Sequence, residues 1–395
     1  MNMTKITPEL IKSIIIQNGT LFVPNSITDA IGSCVISGAN AIQKEGDRLK
    51  TAYDSFEGKT TPAVVNYSGD VTIDAYSVYY LPRNTLVPKV AILCCAYNAA
   101  FQNLPNRLSV LDLGSGTGGV VLGLLDLFHN KALSGTHLDI VALDASLEAL
   151  NKQGELVECV GPHESSHQCY HVDLSDPAYQ SILSIGAPYD MVFAANVFAE
   201  LSEEATDALL KSVATLLSEN GIIVSVESQS NYAMRQRTCI AKNAQNLGLH
   251  IYYPCPPSLT CPRSSCWKWR TDEFKCPDIM VDGESIETTK VQKAHWMILC
   301  KKSCSIYDIF HDKNPDLIWG VAAPGKVKTE DDKVEYDYEF CTESGWRRET
   351  ITQEARKRLW SMQEELFNRG TIVGITDTFD EIKEGWDIVS GFVSY

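Results

Sequence analysis

Leu108-Ser109-Val110-Leu111-Asp112-Leu113-Gly114-Ser115-Gly116-Thr117-Gly118 is the stretch whose reading decides how this chain folds. Its first half is a short apolar run of strand type. Its second half places glycine at alternate positions, directly before an apolar stretch, Gly119 to Phe128, that reads as a helix. Glycine lets a backbone turn sharply and approach a ligand closely, and the amino end of the following helix adds N–H donors and a partial positive charge. A glycine pattern alone is weak evidence of a nucleotide site; its place between strand and helix gives it weight.

Working outward, short apolar runs alternate with amphipathic stretches. HLDIVALD (137–144) precedes a helix from Leu147 to Glu158, and CYHVDLS (169–175) and YDMVFAANV (189–197) precede a helix from Glu203 to Leu217. GIIVSVES (221–228) is followed by a helix from Tyr232 to Leu247 and then LHIYYP (249–254). Strands alternating with helices predict an α/β fold with a mostly parallel sheet covered on both faces. Upstream, residues 1–105 read as a helical region, with one helix expected from Leu86 to Phe101. No internal repeat is evident.

Polar residues stand at successive strand ends. Asp144 follows the second strand, where a carboxylate can accept hydrogen bonds from both hydroxyls of a ribose. Asp173 follows the third, where an acid could meet an adenine amino group, and Asn196 follows the fourth, beside the expected reaction centre. Each acid alone is commonly a cap or turn residue, as Asp144-Ala145-Ser146 could be. Together they fit a ligand site at the point where the strand order reverses.

Asp112-Leu113-Gly114-Ser115-Gly116-Thr117-Gly118 with Asp144 resembles class I S-adenosylmethionine-dependent methyltransferases, Rossmann-like in fold; the spacing differs from the Gly-x-Gly-x-x-Gly of dehydrogenases. The resemblance implies that Gly114, Ser115, Gly116 and Gly118 line the methionine moiety, that Asp144 holds the ribose and that Asp173 approaches the adenine, with Asn196 close by. Methyl transfer from a sulfonium is chiefly a matter of in-line positioning. Asn196-Val197-Phe198-Ala199 stands where amino-directed methyltransferases have Asn-Pro-Pro-aromatic, so the acceptor atom and the catalytic residues stay unassigned.

Strands six and seven of such a fold form an antiparallel hairpin, here His250 to Pro254 and Ala294 to Cys300, and the segment between them is far too long for a turn. It contains Cys255-Pro256, Cys261-Pro262, Cys266-Trp267 and Cys276-Pro277. A loop of this kind is expected to bury little core of its own, and a metal would supply the missing cross-links. The spacing lacks the Cys-x-x-Cys knuckle of common zinc ribbons, whereas an iron-sulfur cluster tolerates wider spacing and cysteine before proline occurs in ferredoxin-type runs. Iron-sulfur cluster, zinc and unligated cysteines are the three readings.

Pro254-Cys255-Pro256, Cys261-Pro262 and Cys266-Trp267 lie downstream of Val226-Glu227, Arg235 and Arg237. Together with Ala75-Tyr76, Tyr80-Leu81-Pro82-Arg83 and Phe340-Cys341-Thr342-Glu343-Ser344-Gly345, they resemble the methyltransferase-like family of the mitochondrial small ribosomal subunit and its prokaryotic relatives. The resemblance spans residues 74–358. It implies a 4Fe-4S cluster on Cys255, Cys261, Cys266 and Cys341, with Cys276 competing for the third position, and the last ligand reaching back from a small β-rich segment, Leu317 to Thr352. It also implies binding to the small ribosomal subunit or its RNA during assembly, with methylation of that RNA proposed. The expected organisation is a helical region (1–105), a cofactor-binding core (106–254), a cysteine-rich insertion (255–293), a last core strand (294–304) and a β-rich appended domain with a tail (305–395).

The 395 residues are 44% hydrophobic and contain no apolar run long enough to span a bilayer, so no membrane partner is expected. Met1 to Ser26 lacks a basic leader, a cleavage site and any arginine, and with thirteen cysteines this points to a reducing compartment, cytoplasmic first and mitochondrial as the alternative. The net charge of -16 opposes nucleic-acid binding by the chain as a whole, since phosphate affinity needs local positive charge. Arg347, Arg348, Arg356, Lys357 and Arg358 offer a local reversal, readable equally as a solvated helix face, while Asp377, Asp380, Glu381, Glu384 and Asp387 outweigh Lys383 in the tail.

Overall fold

The computed structural model describes residues 4–256, 270–352, 372–375 and 382–384, apart from 57–58, 63–64, 66, 162–164, 229, 314, 317, 331–332 and 343–344. Its main sheet is built from β1 (Arg107–Leu113), β2 (His137–Asp144), β3 (Ser165–His171), β4 (Tyr189–Ala195), β5 (Leu217–Glu227), β6 (His250–Tyr253), β7 (Arg270–Lys275) and β8 (Val291–Cys300). The order runs β3-β2-β1-β4-β5-β8, with β6 and β7 both paired to β8. The first five strands are parallel, and β8 enters antiparallel to β5.

Side chains of the central strands alternate between two cores, as the two-residue period of a strand requires. Val110, Ile140, Phe193 and Val224 enter one cluster; Leu111, Val141, Val192 and Ile223 enter the other. Because both faces are covered, these strands read as unbroken apolar runs. The first cluster is closed by the amino-terminal helices α1 (Pro8–Ile15), α2 (Asn25–Cys34), α3 (Ala39–Asp54), α4 (Asp70–Tyr79) and α5 (Leu86–Ala96), together with α6 (Gly119–His129). Helix α7 (Leu147–Val160) links β2 to β3, while α8 (Glu203–Leu216) and α9 (Asn231–Asn246) cover the second cluster.

Helix α5 stops at Ala96, short of the expected Phe101. Asn98 accepts from Ala100 N at 2.9 Å and Gln102 donates to Ala96 O at 2.9 Å, so side chains take over the backbone groups that another turn would need. Within α5 every residue is buried, including Lys89, whose ammonium lies 2.5 Å from Asp126 on α6. The two helices approach closely at Gly123, where a Cβ would lie 2.1 Å from Thr85 O.

The cysteine-rich insertion departs from expectation. Its described part is not a loop without a core: β7 pairs with β8 and also, in parallel, with the short strand Thr20–Phe22 of the amino-terminal region. Phe274, Cys276, Ile279, Val281 and Ile286 are all buried in the first cluster. The insertion therefore splices the amino-terminal region into the main sheet, and β8 begins at Val291 to meet it. The expected β-rich segment is present as the strands Ile318–Glu330, Lys333–Thr342 and Gly345–Thr352, extended by Ile372–Ile375 and Ile382–Glu384 in a separate sheet. Arg347 and Arg348 fall in one of these strands, opposite Phe340 and Glu339, rather than on a helix. Arg356, Lys357 and Arg358 lie outside the described residues. Among the described residues no helix is long and apolar enough to cross a membrane.

Candidate active site

At the carboxyl end of β1 the backbone turns through Gly114 (φ +61°), Gly116 (φ +54°) and Gly118 (φ +91°), a region that favours glycine. Ser115 N donates to Leu143 O at 2.9 Å, which ties the loop to β2, and Gly118 N donates to Ser115 O at 2.9 Å. A side chain at Gly114 would place its Cβ 2.6 Å from Val197 Cγ2, whereas Gly116 faces open space. The amino end of α6 follows directly.

Asp144 ends β2 with both oxygens held by backbone. Oδ2 accepts from Gly116 N at 2.7 Å and Oδ1 from Ser146 N at 2.8 Å. Burial raises its carboxyl above the ordinary range, and these N–H bonds pull the other way. Each carboxylate oxygen has a second acceptor site, leaving capacity for two ligand hydroxyls. Ser146 caps α7 by accepting from Ala149 N at 3.1 Å. Asp173 Oδ1 accepts from Ser175 N at 2.8 Å and from Ser175 Oγ at 2.7 Å. Asn196 takes the left-handed conformation (φ +61°), its N–H donating to Val226 O at 2.7 Å.

These strand ends border a cavity of about 500 Å³. Gly114, Gly116, Asp144, Asp173 and Asn196 line it, as expected of the cofactor set, and Thr117 joins them. Ser115 and Gly118 do not: they shape the loop from behind, Ser115 through its bonds to Leu143 and Gly118, and Gly118 as the turn into α6.

The opposite wall comes from the amino-terminal helices and the segment after β4. Tyr53, Tyr67, Tyr76, Arg83 and Glu200 line it. The hydroxyls of Tyr53 and Tyr67 lie 2.7 Å apart, and Asn84 Nδ2 donates to Tyr76 OH at 3.2 Å. The rings form a chain, Tyr67–Tyr76–Tyr80–Tyr53, with neighbouring centroids at 5.5, 5.4 and 4.9 Å. Arg83 lies 4.7 Å over the Tyr80 ring, and its buried Nε has no hydrogen-bond partner. Burial pushes the Tyr76 hydroxyl up to about 12. Glu200 is exposed to the cavity, and the protein atoms crowded around its carboxyl disfavour its charge. Burial, then the Asp144 charge, push its carboxyl up to about 8 against a hydrogen bond from Tyr67. A second cavity of about 570 Å³ adjoins the first and shares Tyr53, Arg83, Asn196, Glu200 and Ser228 with it.

Beneath the junction lies Glu227, 1% exposed, accepting from Phe198 N at 3.0 Å and Ala199 N at 3.1 Å. It fixes the backbone that carries Asn196 and Glu200. Burial outweighs these bonds and pushes its carboxyl up to about 8. Sequence reading named Glu227 and Tyr76 without a role, and missed Tyr53, Tyr67 and Glu200.

The site fits S-adenosylmethionine on its own chemistry. Gly116 offers bare backbone with space before it, Asp144 offers two anchored acceptors, and Asp112 Oδ2, Ser115 Oγ and Thr117 Oγ1 around the loop are buried without a hydrogen-bond partner.

The cysteines are less convergent. Cys255 follows β6 directly, and the buried guanidinium of Arg237 donates to its Sγ at 3.3 Å. Cys276 is packed in the first core cluster, its thiol donating to Pro277 O at 3.4 Å and pushed up by burial, which favours the neutral form. Cys341 stands in a strand of the separate sheet, between Val321 and Trp346. Cys261 and Cys266 lie outside the described residues. Among the described residues no three His, Cys, Asp or Glu side chains are grouped to hold a metal ion.

Residues 111–223 match the family model described as a methyltransferase domain. Solved structures similar to the chain include magnesium protoporphyrin IX methyltransferase from Synechocystis PCC 6803 with bound S-adenosylmethionine, at 14% identity over 64% of this chain and 91% of that one, with a TM-score of 0.36. Precorrin-6y C5,15-methyltransferase from Geobacter metallireducens is 14% identical over 55% of this chain and 88% of that one, with a TM-score of 0.35. A putative RNA methyltransferase from Pyrococcus horikoshii is 15% identical over 65% and 96%, with a TM-score of 0.34. At such values these likenesses add nothing to what the sheet topology establishes. No curated protein matches the chain. Residues 111–223 therefore carry the match to a methyltransferase domain, and they lie in the Rossmann-like parallel sheet.

Proposed function

We propose that the protein is an S-adenosylmethionine-dependent methyltransferase acting on the small ribosomal subunit or its RNA, and that an iron-sulfur cluster staples its cysteine segment. The observation that carries the first part is the Asp144 carboxylate, locked by Gly116 and Ser146 N–H groups at the rim of a glycine-lined cavity where the strand order reverses. Asp144 would hold the ribose hydroxyls, Gly114 and Gly116 would lie along the methionine part, and Asp173 would reach the adenine. The cofactor supplies a methyl group on a positively charged sulfur. What remains for the chain is to align the acceptor and exclude water, and the tyrosine wall encloses the space where this would happen.

The ribosomal part rests on the family resemblance over residues 74–358. The cluster would use Cys255, Cys261, Cys266 and Cys341, with Cys276 as the alternative third ligand. The resemblance supports it, as does the Arg237 donor at Cys255, since hydrogen bonds to ligand sulfur are a regular way of tuning such centres. Zinc is the alternative metal. Metal analysis with an anaerobic absorption spectrum tests this: iron with a broad visible band supports the cluster, and a colourless protein with stoichiometric zinc overturns it. Cys261→Ser should lose iron while keeping cofactor affinity.

Retention of a labelled methyl group on purified small subunits tests the enzyme against a noncatalytic assembly factor. The net charge of -16 favours a further reading, a methyltransferase for a small-molecule or protein acceptor, which requires no affinity for RNA even at low salt.

A further inference from the structure

The second cavity shares Asn196, Glu200 and Ser228 with the cofactor cavity just beyond β4 and β5, which offers a methyl acceptor a way to the strand ends. Its walls carry two kinds of signal. At the rim, Asp47, Asp54 and Glu287 stand with Lys50, and Lys290 pairs with Glu287 at 2.8 Å, which leaves a slight acidic excess that suits an ammonium. At the neck shared with the cofactor cavity stand Arg83 and Glu200, amid the rings of Tyr53, Tyr76 and Tyr80.

Both Arg83 and Glu200 act electrostatically on Tyr53 and Tyr76, yet among the described residues they form no ion pair with each other. The buried Arg83 Nε lacks an acceptor. A buried donor without a partner is costly, so a ligand that supplies the acceptor is favoured there. Tyrosine rings and a guanidinium plane are the surfaces on which flat heterocycles stack.

We propose that the neck of the second cavity holds a nucleobase, with Glu200 pairing to the donor-beside-acceptor edge of the ring and Arg83 donating to a ring carbonyl. This rests on the methyltransferase reading with an RNA acceptor and adds how the base is held. The protonation of Glu200 separates this from an ammonium site. Crowding by protein atoms and the Asp144 charge raise its carboxyl to about 8, so near neutral pH the O–H form prevails, with a C=O beside it to accept, which matches a base edge at two points. An ammonium requires the ionised form. The pocket is large enough for a nucleoside extruded from its strand, and an unpaired loop base reaches it at lowest cost.

The test uses the full-length protein saturated with S-adenosylhomocysteine, which fills the cofactor's own adenosine subsite, and cytidine as the probe, with binding read by saturation-transfer NMR. Cytidine should bind saturably to the wild type. Glu200→Leu should weaken it by about tenfold or more, with cofactor affinity and melting temperature checked on the same sample. Glu200→Gln, whose amide also presents a donor beside an acceptor, should stay within about threefold of wild type. Raising the pH through about 8 should weaken wild type by ionising Glu200 and leave Glu200→Gln unaffected. Saturable spermidine binding that Glu200→Gln abolishes, or no cytidine binding in a protein that binds S-adenosylhomocysteine, overturns the proposal. Failure to bind S-adenosylhomocysteine at all overturns the methyltransferase reading instead.

Discussion

The two walls of the cavity are made of different material. On one side, the loop from Gly114 to Gly118 and the end of β2 present backbone groups and one anchored carboxylate, with positions fixed by glycine dihedrals and N–H bonds a few residues apart. On the other, Tyr53, Tyr67, Tyr76 and Arg83 present side chains from separate helices and loops, held by contacts across the fold. The first wall is rigid because the covalent chain defines it. The second keeps its shape only as long as the helices stay docked, and its chemistry can change residue by residue without disturbing the cofactor.

The largest effect should come from undocking the side-chain wall. Asp74 is fully buried; its Oδ2 accepts from Ile36 N at 3.1 Å and Ser37 N at 2.9 Å, and its Oδ1 lies 3.2 Å from Lys152 on α7. This pair clamps the helix carrying Tyr76 onto the methyltransferase domain. Asp74→Ala should cost about 3–5 kcal/mol by stripping the Ile36 and Ser37 N–H groups of their acceptor and loosening Lys152, which keeps Glu155 at 2.9 Å, read by denaturant melts. Well below the melt, cofactor affinity should be nearly unchanged.

Next comes the backbone wall. Gly114→Val adds a β-branched side chain at φ +61° that would collide with Val197. About 2–4 kcal/mol of stability should be lost, and cofactor binding with it, which calorimetry would register.

Glu227 joins the two walls and gives the account a pH signature. Its folded pKa of about 8 lies above the unfolded value of about 4.3, so the native state holds the extra proton between them. Its contribution is fully present below about pH 4 and is lost as pH rises through about 8. Melting temperature against pH should fall across that window, and Glu227→Gln should flatten the slope.

Smaller still, Tyr53→Phe removes one hydroxyl of the Tyr53–Tyr67 pair and should cost about 1 kcal/mol of stability with no change in cofactor affinity. At the floor, Arg107→Ala removes an ion pair to Asp139 whose arginine side chain is 68% exposed, and melts should move by under about 1 kcal/mol.

The same difference in material explains what could be read from the residues alone. Gly114, Gly116, Asp144, Asp173 and Asn196 were legible because each sits at a fixed offset from the end of a strand, and strand ends are marked by apolar runs. Ser115 and Gly118 share that spacing, yet they face away from the cavity because a tight loop presents only some of its residues to one side. Tyr53 and Tyr67 carried no such signal: nothing in the pattern of α3 or of the segment after it says that these rings share a cavity with the residues beyond β4. Glu200 had one clue, its place just beyond Asn196. In the insertion, Phe274, Ile279, Val281 and Ile286 were apolar enough to announce a strand and a packed hairpin, but the cysteines around them drew the reading toward a metal-held loop. One of the two partners of β7, Thr20–Phe22, lies at the far end of the chain, where periodicity cannot point.

Titration of S-adenosylhomocysteine into wild type and Asp144→Ala tests the central claim, that the Gly114–Gly118 loop and Asp144 form one cofactor site. Saturable one-site binding by the wild type, weakened about a hundredfold or more in the variant while both remain folded, is the result the geometry predicts. Equal affinity in the two proteins, or no binding by either, would contradict it.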